Sequence, residues 1–390
     1  MERYFADLHI HIGSAGGSSV KITASRDLTV SSILTSAAGD KGLDIIGIID
    51  CLSPPVRAEI EELISAGEIS PAGGGGYLYR SELLLLPGME VETREENGGQ
   101  AHYLAFFPHL SSLTEIAASL DDHITNMTLS SQTCYLTGSK LLELVGDAGG
   151  ILIPAHVFTP HCSFYGSACR SYEEIFTPAE WQQIPAVELG LSADRYLASH
   201  LSELDDKTLL SNSDAHSLPK LAREYNLIEM EDLSFAGFAS ALRGESGGVD
   251  TNYGLDPRLG KYHRSYCPDC EKTFTRPRSV RRCPLCGSER IIQGVKDRIL
   301  EIADRKGGNE ELKSDYVHQV PLLDLPGLGP ATLRKLQDTF GTEMDILHSA
   351  DHNQLREVAG ERIADRIIRS RRGELEIISG GGGEYGSVRS

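Results

Sequence analysis

His9 and His11 stand two positions apart in Tyr4-Phe5-Ala6-Asp7-Leu8-His9-Ile10-His11, where apolar and polar residues alternate. Alternation with a period of two marks a strand and puts both imidazoles on one face. Two imidazoles with a carboxylate beside them can hold a metal ion; the simpler reading is a chance pair of histidines on an ordinary strand. Ionisable groups accompany six further β-like runs. Asp50 and Cys51 follow residues 45–49, Glu90 and Glu92 follow 83–86, and His102 opens the run at 103–107. His156 follows 151–154, Glu188 lies in 186–189, and Asp214 and His216 follow 208–211. In an α/β barrel the strand ends on one rim build the active site, so these groups are expected to converge there. A mixed histidine and carboxylate set suits two or more transition-metal ions, zinc or manganese first. Such a cluster makes hydroxide at neutral pH and stabilises the oxygens of an in-line phosphoryl displacement. Glu90 is the candidate carboxylate to bridge two ions.

A second constellation lies further along. Cys267, Cys270, Cys283 and Cys286 form C-x2-C-x12-C-x2-C. Each pair supplies two sulfurs from one tight turn, the pattern of a four-thiolate structural zinc site. A rubredoxin-type iron site uses similar knuckles, but the surrounding chain is more basic than an electron carrier needs. Arg276, Arg278, Arg281 and Arg282 lie between the pairs and suit a ribbon that faces nucleic acid, against a ribbon that only stabilises a small module. Downstream, residues 322–336 resemble a helix-hairpin-helix, with a Pro-Gly-x-Gly turn at 326–329 between two short helices. Gly327 and Gly329 let the backbone approach a phosphate, the following helix N-terminus binds it, and Arg334 and Lys335 add charge. A degenerate second copy spans residues 357–364. Gln319-Val320-Pro321-Leu322-Leu323 loosely matches a sliding-clamp-binding peptide, or else forms the apolar start of the hairpin module.

The elements that must position these groups alternate β-like runs with helix-like stretches such as 113–120 and 140–145, which argues for a parallel sheet or barrel over the first 250 residues or so. Charge divides the 390-residue chain the same way. Residues 1–250 hold 14 Lys and Arg against 35 Asp and Glu, whereas 251–390 hold 23 against 21. An acidic half suits cations and a locally basic segment suits a polyanion. No apolar run reaches membrane-spanning length, and the strand starts directly after Met1-Glu2-Arg3. The expectation is a cytoplasmic, nucleoid-associated protein without a membrane partner.

Asp7-Leu8-His9-Ile10-His11, Gly47-Ile48-Ile49-Asp50, Gly88-Met89-Glu90, His102, Pro154-Ala155-His156 and Ser213-Asp214-Ala215-His216 resemble the motifs of the polymerase-and-histidinol-phosphatase (PHP) family of metal phosphoesterases. The resemblance implies an α/β fold with a distorted (β/α)7 barrel over 1–254. The remaining divisions are then a four-cysteine zinc module at 255–305, a linker at 306–318 and a helical helix-hairpin-helix DNA-binding domain at 319–390. It implies metal-ligand roles for His9, His11, Glu90, His102, His156, Asp214 and His216, with Asp214, His216, Glu90 and Asp50 as catalytic groups. Two or three divalent ions (Zn, Mn or Mg) and one structural zinc are the implied cofactors. The chain departs from the family at Cys51, where many members have histidine, and at residues 13–16, which lack another. Those two histidines help hold a third ion, so a third here would need Cys51 as a thiolate ligand. The order of parts, with Val187-Glu188-Leu189-Gly190-Leu191-Ser192 and Lys261-Tyr262-His263, is similar to the endonuclease Q branch of that family. This implies a repair endonuclease that uses metal-activated hydroxide to cut DNA 5′ of a deaminated base (hypoxanthine, uracil, xanthine) or an abasic site, leaving 3′-hydroxyl and 5′-phosphate ends. The alternatives are a small-molecule phosphatase of histidinol-phosphate type and a non-catalytic damaged-DNA-binding protein.

Overall fold

The alternation that opens the chain becomes strand β1 (Glu2–Ile10), whose inner half is fully buried. The computed structural model describes residues 1–274, 282–309 and 315–389 and shows a mixed α/β fold. All seven expected runs are strands. They are β1, β2 (Ile45–Ile48), β3 (Leu83–Arg94), β4 (Gln100–Phe106), β5 (Ile151–Pro154), β6 (Ala186–Glu188) and β7 (Thr208–Leu210). Helices Leu110–Leu120 (α1) and Gly138–Asp147 (α2) cover the expected helical stretches. β1, β2 and β3 pair in parallel, as do β6 and β7. β4 differs from the expected parallel order, running antiparallel to both β3 and β5. Its reversal carries its first residues to the rim where the parallel strands end, and His102 lies among them.

The neighbours follow one another around a ring. Val157 N–H donates to Glu188 O (2.8 Å) between the ends of β5 and β6. Leu8 N–H donates to Asn212 Oδ1 (3.2 Å), joining β1 to the end of β7. Leu8, Ile45, Leu84, Phe106, Ile153 and Leu210 fill one apolar cluster. Helix α3 (Phe235–Leu242) joins it through Phe238, edge-on to Phe106 at 5.8 Å. Burial of such side chains contributes about 1.5–3 kcal/mol each.

Ile69–Pro71 and Tyr77–Tyr79 add a small antiparallel flap on β3, and three later strands extend the sheet beside β1. β8 (Tyr225–Met230) pairs antiparallel with β1, β9 (Gly248–Gly254) with β8, and β10 (Tyr316–His318) runs parallel to β9. The end of the expected 306–318 linker is therefore part of the sheet. Buried asparagines do the work of a ladder between β7 and this extension. Asn226 Nδ2 donates to Ser211 O (2.9 Å) and Asn212 Oδ1 (3.0 Å), and Asn252 Nδ2 donates to Leu209 O (2.9 Å) and Asn226 Oδ1 (2.8 Å).

Among the described residues after 255 the α-helices are α4 (Val295–Ile302), α5 (Pro330–Phe340), α6 (His352–Ala359) and α7 (Glu361–Arg371). Before the turn at 326–329 there is a single 3-10 turn, Leu322–Asp324, instead of a helix. In the span read as a second copy, α6 and α7 meet at Gly360. Gln319, Val320 and Leu322 are buried, and Gln319 Oε1 accepts from the Tyr225 hydroxyl. That burial overturns the clamp-peptide reading, because a docking peptide must be exposed. Among the described residues no helix is long and apolar enough to cross a membrane.

The helical part is fastened to the first half of the chain by the buried Lys41–Glu343 pair (2.8 Å) and by His348, which stacks on Phe5 of β1 with ring centroids 4.6 Å apart. Burial first, and then the Arg371 guanidinium, push His348 down to about 4. The unfolded chain takes up this proton near pH ~6.5. The folded protein takes it up only near 4, so the group's contribution is full above the unfolded value and is lost as pH falls towards 4. The loss approaches about 3 kcal/mol. Replacing His348 with glutamine should flatten this part of the pH–stability curve, read from thermal melts of both proteins between pH 7 and 4.5.

Candidate active site

The β1–β2 ladder slips between Asp7 and Ile10, as a bulge does next to many active sites. Asp7 accepts from Ser213 N–H (3.0 Å) and Ala222 N–H (2.9 Å), which brings the segment after β7 against the end of β1. His9 and His11 then lie side by side, ring centroids 5.2 Å apart. Their Nε2 atoms stand 3.6 and 3.4 Å from Asp214 Oδ1. Glu90 completes the group, with Oε1 3.5 Å from His9 Nε2 and Oε2 3.6 Å from His11 Nε2. Glu90 and Glu92 sit inside β3, which runs eight residues past the expected run; His102 lies directly across the hairpin from Glu92. His102 Nδ1 is 3.0 Å and His156 Nε2 3.5 Å from Glu90 Oε1. All seven expected ligands are thus gathered into overlapping groups: His9–His11–Glu90, Glu90–His102–His156 and His11–Asp214–His216.

Behind this layer, carboxylates hold the imidazoles by their far nitrogens. Glu188 accepts from His9 Nδ1 (3.0 Å), Asn212 Nδ2 (2.9 Å) and the His156 backbone N–H (2.8 Å). Asp50, expected among the catalytic groups, is instead buried behind His11, accepting from its Nδ1 (3.2 Å), from Ile12 N–H (2.6 Å) and from the Ser130 hydroxyl. It positions His11 and does not face the cleft. The Cys51 thiol donates to Ile48 O (3.2 Å), and burial pushes it up to about 12. His156 and Asp214 have φ of +29° and +46°, a conformation that non-glycine residues adopt at a cost of about 1–3 kcal/mol. Gly190 lets His156 take its place: a Cβ there would stand 2.9 Å from the His156 Cβ.

Opposite charges balance one another in this buried cluster. Burial works against ionisation of Glu90, yet the charges of His102 and Lys21 and the imidazole hydrogen bonds hold it well below the carboxylate range. Burial likewise opposes protonation of His9, and Glu188 outweighs it. The His102 hydrogen bond leads in bringing Glu92 down to about 2. His9 Nε2 is buried without a hydrogen-bond partner while aimed at two carboxylates, the situation a divalent ion resolves.

Four residues here carried no signal for this site in the sequence, or only a faint one. Lys21 Nζ (3.4 Å from Glu90 Oε2) and Ser130 and Ser131 come from Gly- and Ser-rich loops without periodicity. Cys162, beside His161 in a loop, stands 2.9 Å from Glu92 Oε2. Arg223 forms no ion pair with an acid among the described residues; its Nε donates to Ser213 O (2.6 Å). A cavity of about 250 Å3 opens beside Asp214, lined by His156, Glu188 and Asn212 and also by Lys261, Tyr262 and Tyr385. Tyr385 comes from the tail, where Gly386 N–H donates to Leu259 O (2.8 Å). Both halves of the chain thus build one cleft.

No family model matches the chain. It is 44% identical to YqxK, an uncharacterized protein of Bacillus subtilis (strain 168), over the full length of both. The structure of PfuEndoQ from Pyrococcus furiosus, described as a novel lesion-specific endonuclease, matches 100% of this chain and 95% of its own at a TM-score of 0.84 and 30% identity. An endonuclease Q complex with a 27-mer duplex substrate carrying an abasic lesion at the active site matches 100% and 96%, with a TM-score of 0.83 and 30% identity. The chain belongs to the endonuclease Q family.

In this endonuclease Q family member the four cysteines Cys267, Cys270, Cys283 and Cys286 also come together. Sγ atoms of 267 and 286 are 3.7 Å apart, and those of 270 and 283 are 3.5 Å apart. Arg276, Arg278 and Arg281 lie outside the described residues. Arg282 is exposed and paired with Glu289 at 2.9 Å. Gly327 (φ +85°), Gly329, Arg334 and Lys335 are exposed, with Gly329 capping α5 and Pro330 in its first turn.

Glu188 generates a sharp expectation. Carboxylates that orient ligand histidines typically contribute 10- to 100-fold to metal affinity. Glu188→Gln should weaken divalent-ion binding by about that factor with the fold intact, measured by competition with a chromophoric chelator.

Proposed function

We propose that the chain is a metal-dependent DNA repair endonuclease that hydrolyses the phosphodiester 5′ of a deaminated base (hypoxanthine, uracil or xanthine) or an abasic site, leaving 3′-hydroxyl and 5′-phosphate ends. The observation that carries it is the full-length likeness to an endonuclease Q bound to an abasic duplex, joined to a histidine–carboxylate cluster that opens into the cavity beside Asp214. His9, His11, Glu90 and Asp214 would hold one ion, and Glu90, His102 and His156 a second. Ions bound there supply a nucleophile at neutral pH and neutralise charge building on the phosphate.

The chain's own residues do the rest. Glu188, Asp50 and Glu92 fix which imidazole nitrogens face the cleft. The cavity accepts the nucleotide that leaves the stack, which costs least where pairing is already weak; Tyr262 and Tyr385 present rings to it, and Lys261 a charge to the backbone. Arg282, Arg334, Lys335 and the exposed glycines of the 326–329 turn, read as a helix-hairpin-helix, grip phosphates independently of sequence. The four cysteines hold a structural zinc that keeps the segment after residue 255 in shape.

Asp214→Ala and His9→Ala should each lower cutting of a duplex with one abasic site by at least about 10²–10³-fold while the variant still binds that duplex, read by gel assays of cleavage and binding. Full cutting by either variant, or rapid turnover of p-nitrophenyl phosphate by the wild type with no DNA cutting, would remove this reading.

A further inference from the structure

The two oxygens of Glu90 have different surroundings. Oε1 faces three imidazoles, those of His102, His9 and His156, at 3.0–3.5 Å. Oε2 faces His11 Nε2 at 3.6 Å; beyond that it meets the Ser131 hydroxyl and the Lys21 ammonium at 3.4 Å. Lys21 is not a surface lysine that wandered in. Its backbone N–H donates to Ile12 O (2.9 Å), one residue past His11, and its Nζ also donates to Ser131 Oγ (2.5 Å). Only 16% of its side chain is exposed.

This position bears on how many ions the cleft holds. Of the three donor groups, His11–Asp214–His216 shares His11 with the group around His9. Lys21 Nζ and His11 Nε2 face the same oxygen, Glu90 Oε2, so the ammonium stands beside this group. It opposes a divalent cation there, with a repulsion that scales with the ion's charge. Glu90 Oε2 meanwhile already has a cation against it.

We infer that Lys21 is a built-in substitute for a third metal ion: its ammonium balances the Oε2 side of Glu90, so the cleft takes two divalent ions and the His11–Asp214–His216 group takes none of its own. Lys21 acts through Glu90 and is a positioning residue. The inference rests on reading the cluster as a metal site.

Counting ions tests it without any DNA. The full chain, its cysteine site loaded with zinc, is titrated with Mn2+, and free ion is followed by electron paramagnetic resonance. Wild type should bind two equivalents, and Lys21→Arg should also bind two. Lys21→Asp, which replaces the ammonium with a carboxylate, should bind three, with circular dichroism confirming its fold. Three equivalents in the wild type would overturn the inference, as would only two in a folded Lys21→Asp. No bound manganese at all would overturn the metal reading underneath it, an outcome distinct from the other two.

Discussion

A carboxylate buried among imidazoles is the constraint around which this protein is built. Glu90 has 1% of its side chain exposed, and an ionised carboxylate taken out of water is destabilising unless it is paired. Its partners come from distant parts of the chain: His9 and His11 at the end of β1, Lys21 from the following loop, His102 across the hairpin and His156 after β5. Each must arrive within about 3.6 Å of one of two oxygens. The parallel strands, the reversed β4 and the slip in the β1 ladder are what bring them there.

Holding the imidazoles is a second task, met one layer out. Asp50 and Glu188 anchor His11 and His9 by Nδ1, and the left-handed backbone at His156 and Asp214 turns those side chains into the cleft. Strain of that kind persists only where surrounding contacts over-determine it. The hydrogen bonds from Asp7 to residues 213 and 222, and from Glu188 to the His156 backbone, are such contacts. Affinity for cations is therefore prepared before any cation arrives.

How much of this was legible in the sequence depended on the kind of signal. Period-two alternation located β1 and short apolar runs located the other six strands, and the ionisable residues beside them located the cluster, because strand geometry forces such groups towards one rim. Asp50 was found but its role was not, since sequence order says nothing of which nitrogen a carboxylate meets. Lys21, Ser130 and Ser131 reach the cleft from loops whose paths are set by tertiary contacts alone. The strands β8 and β9 escaped notice because buried asparagines, which interrupt an apolar pattern, stitch them to β7. The 319–323 segment has the composition of a docking peptide, and burial against Tyr225 gives it another use. Tyr385 is reached only because the tail folds back on residues 258–261.

The account joins a cation cluster in the acidic half to a grip in the basic half at one cleft, and a mapped cut tests that union most directly. A labelled duplex with a single hypoxanthine is incubated with the full chain and a divalent metal, with and without chelator, and the products are sized to the nucleotide. The account predicts one cut at the phosphodiester 5′ of the hypoxanthine, a 3′-hydroxyl end, and no product once the chelator is present. A cut elsewhere, cutting that survives chelation, or an intact duplex beside a rapidly hydrolysed phosphomonoester would contradict it.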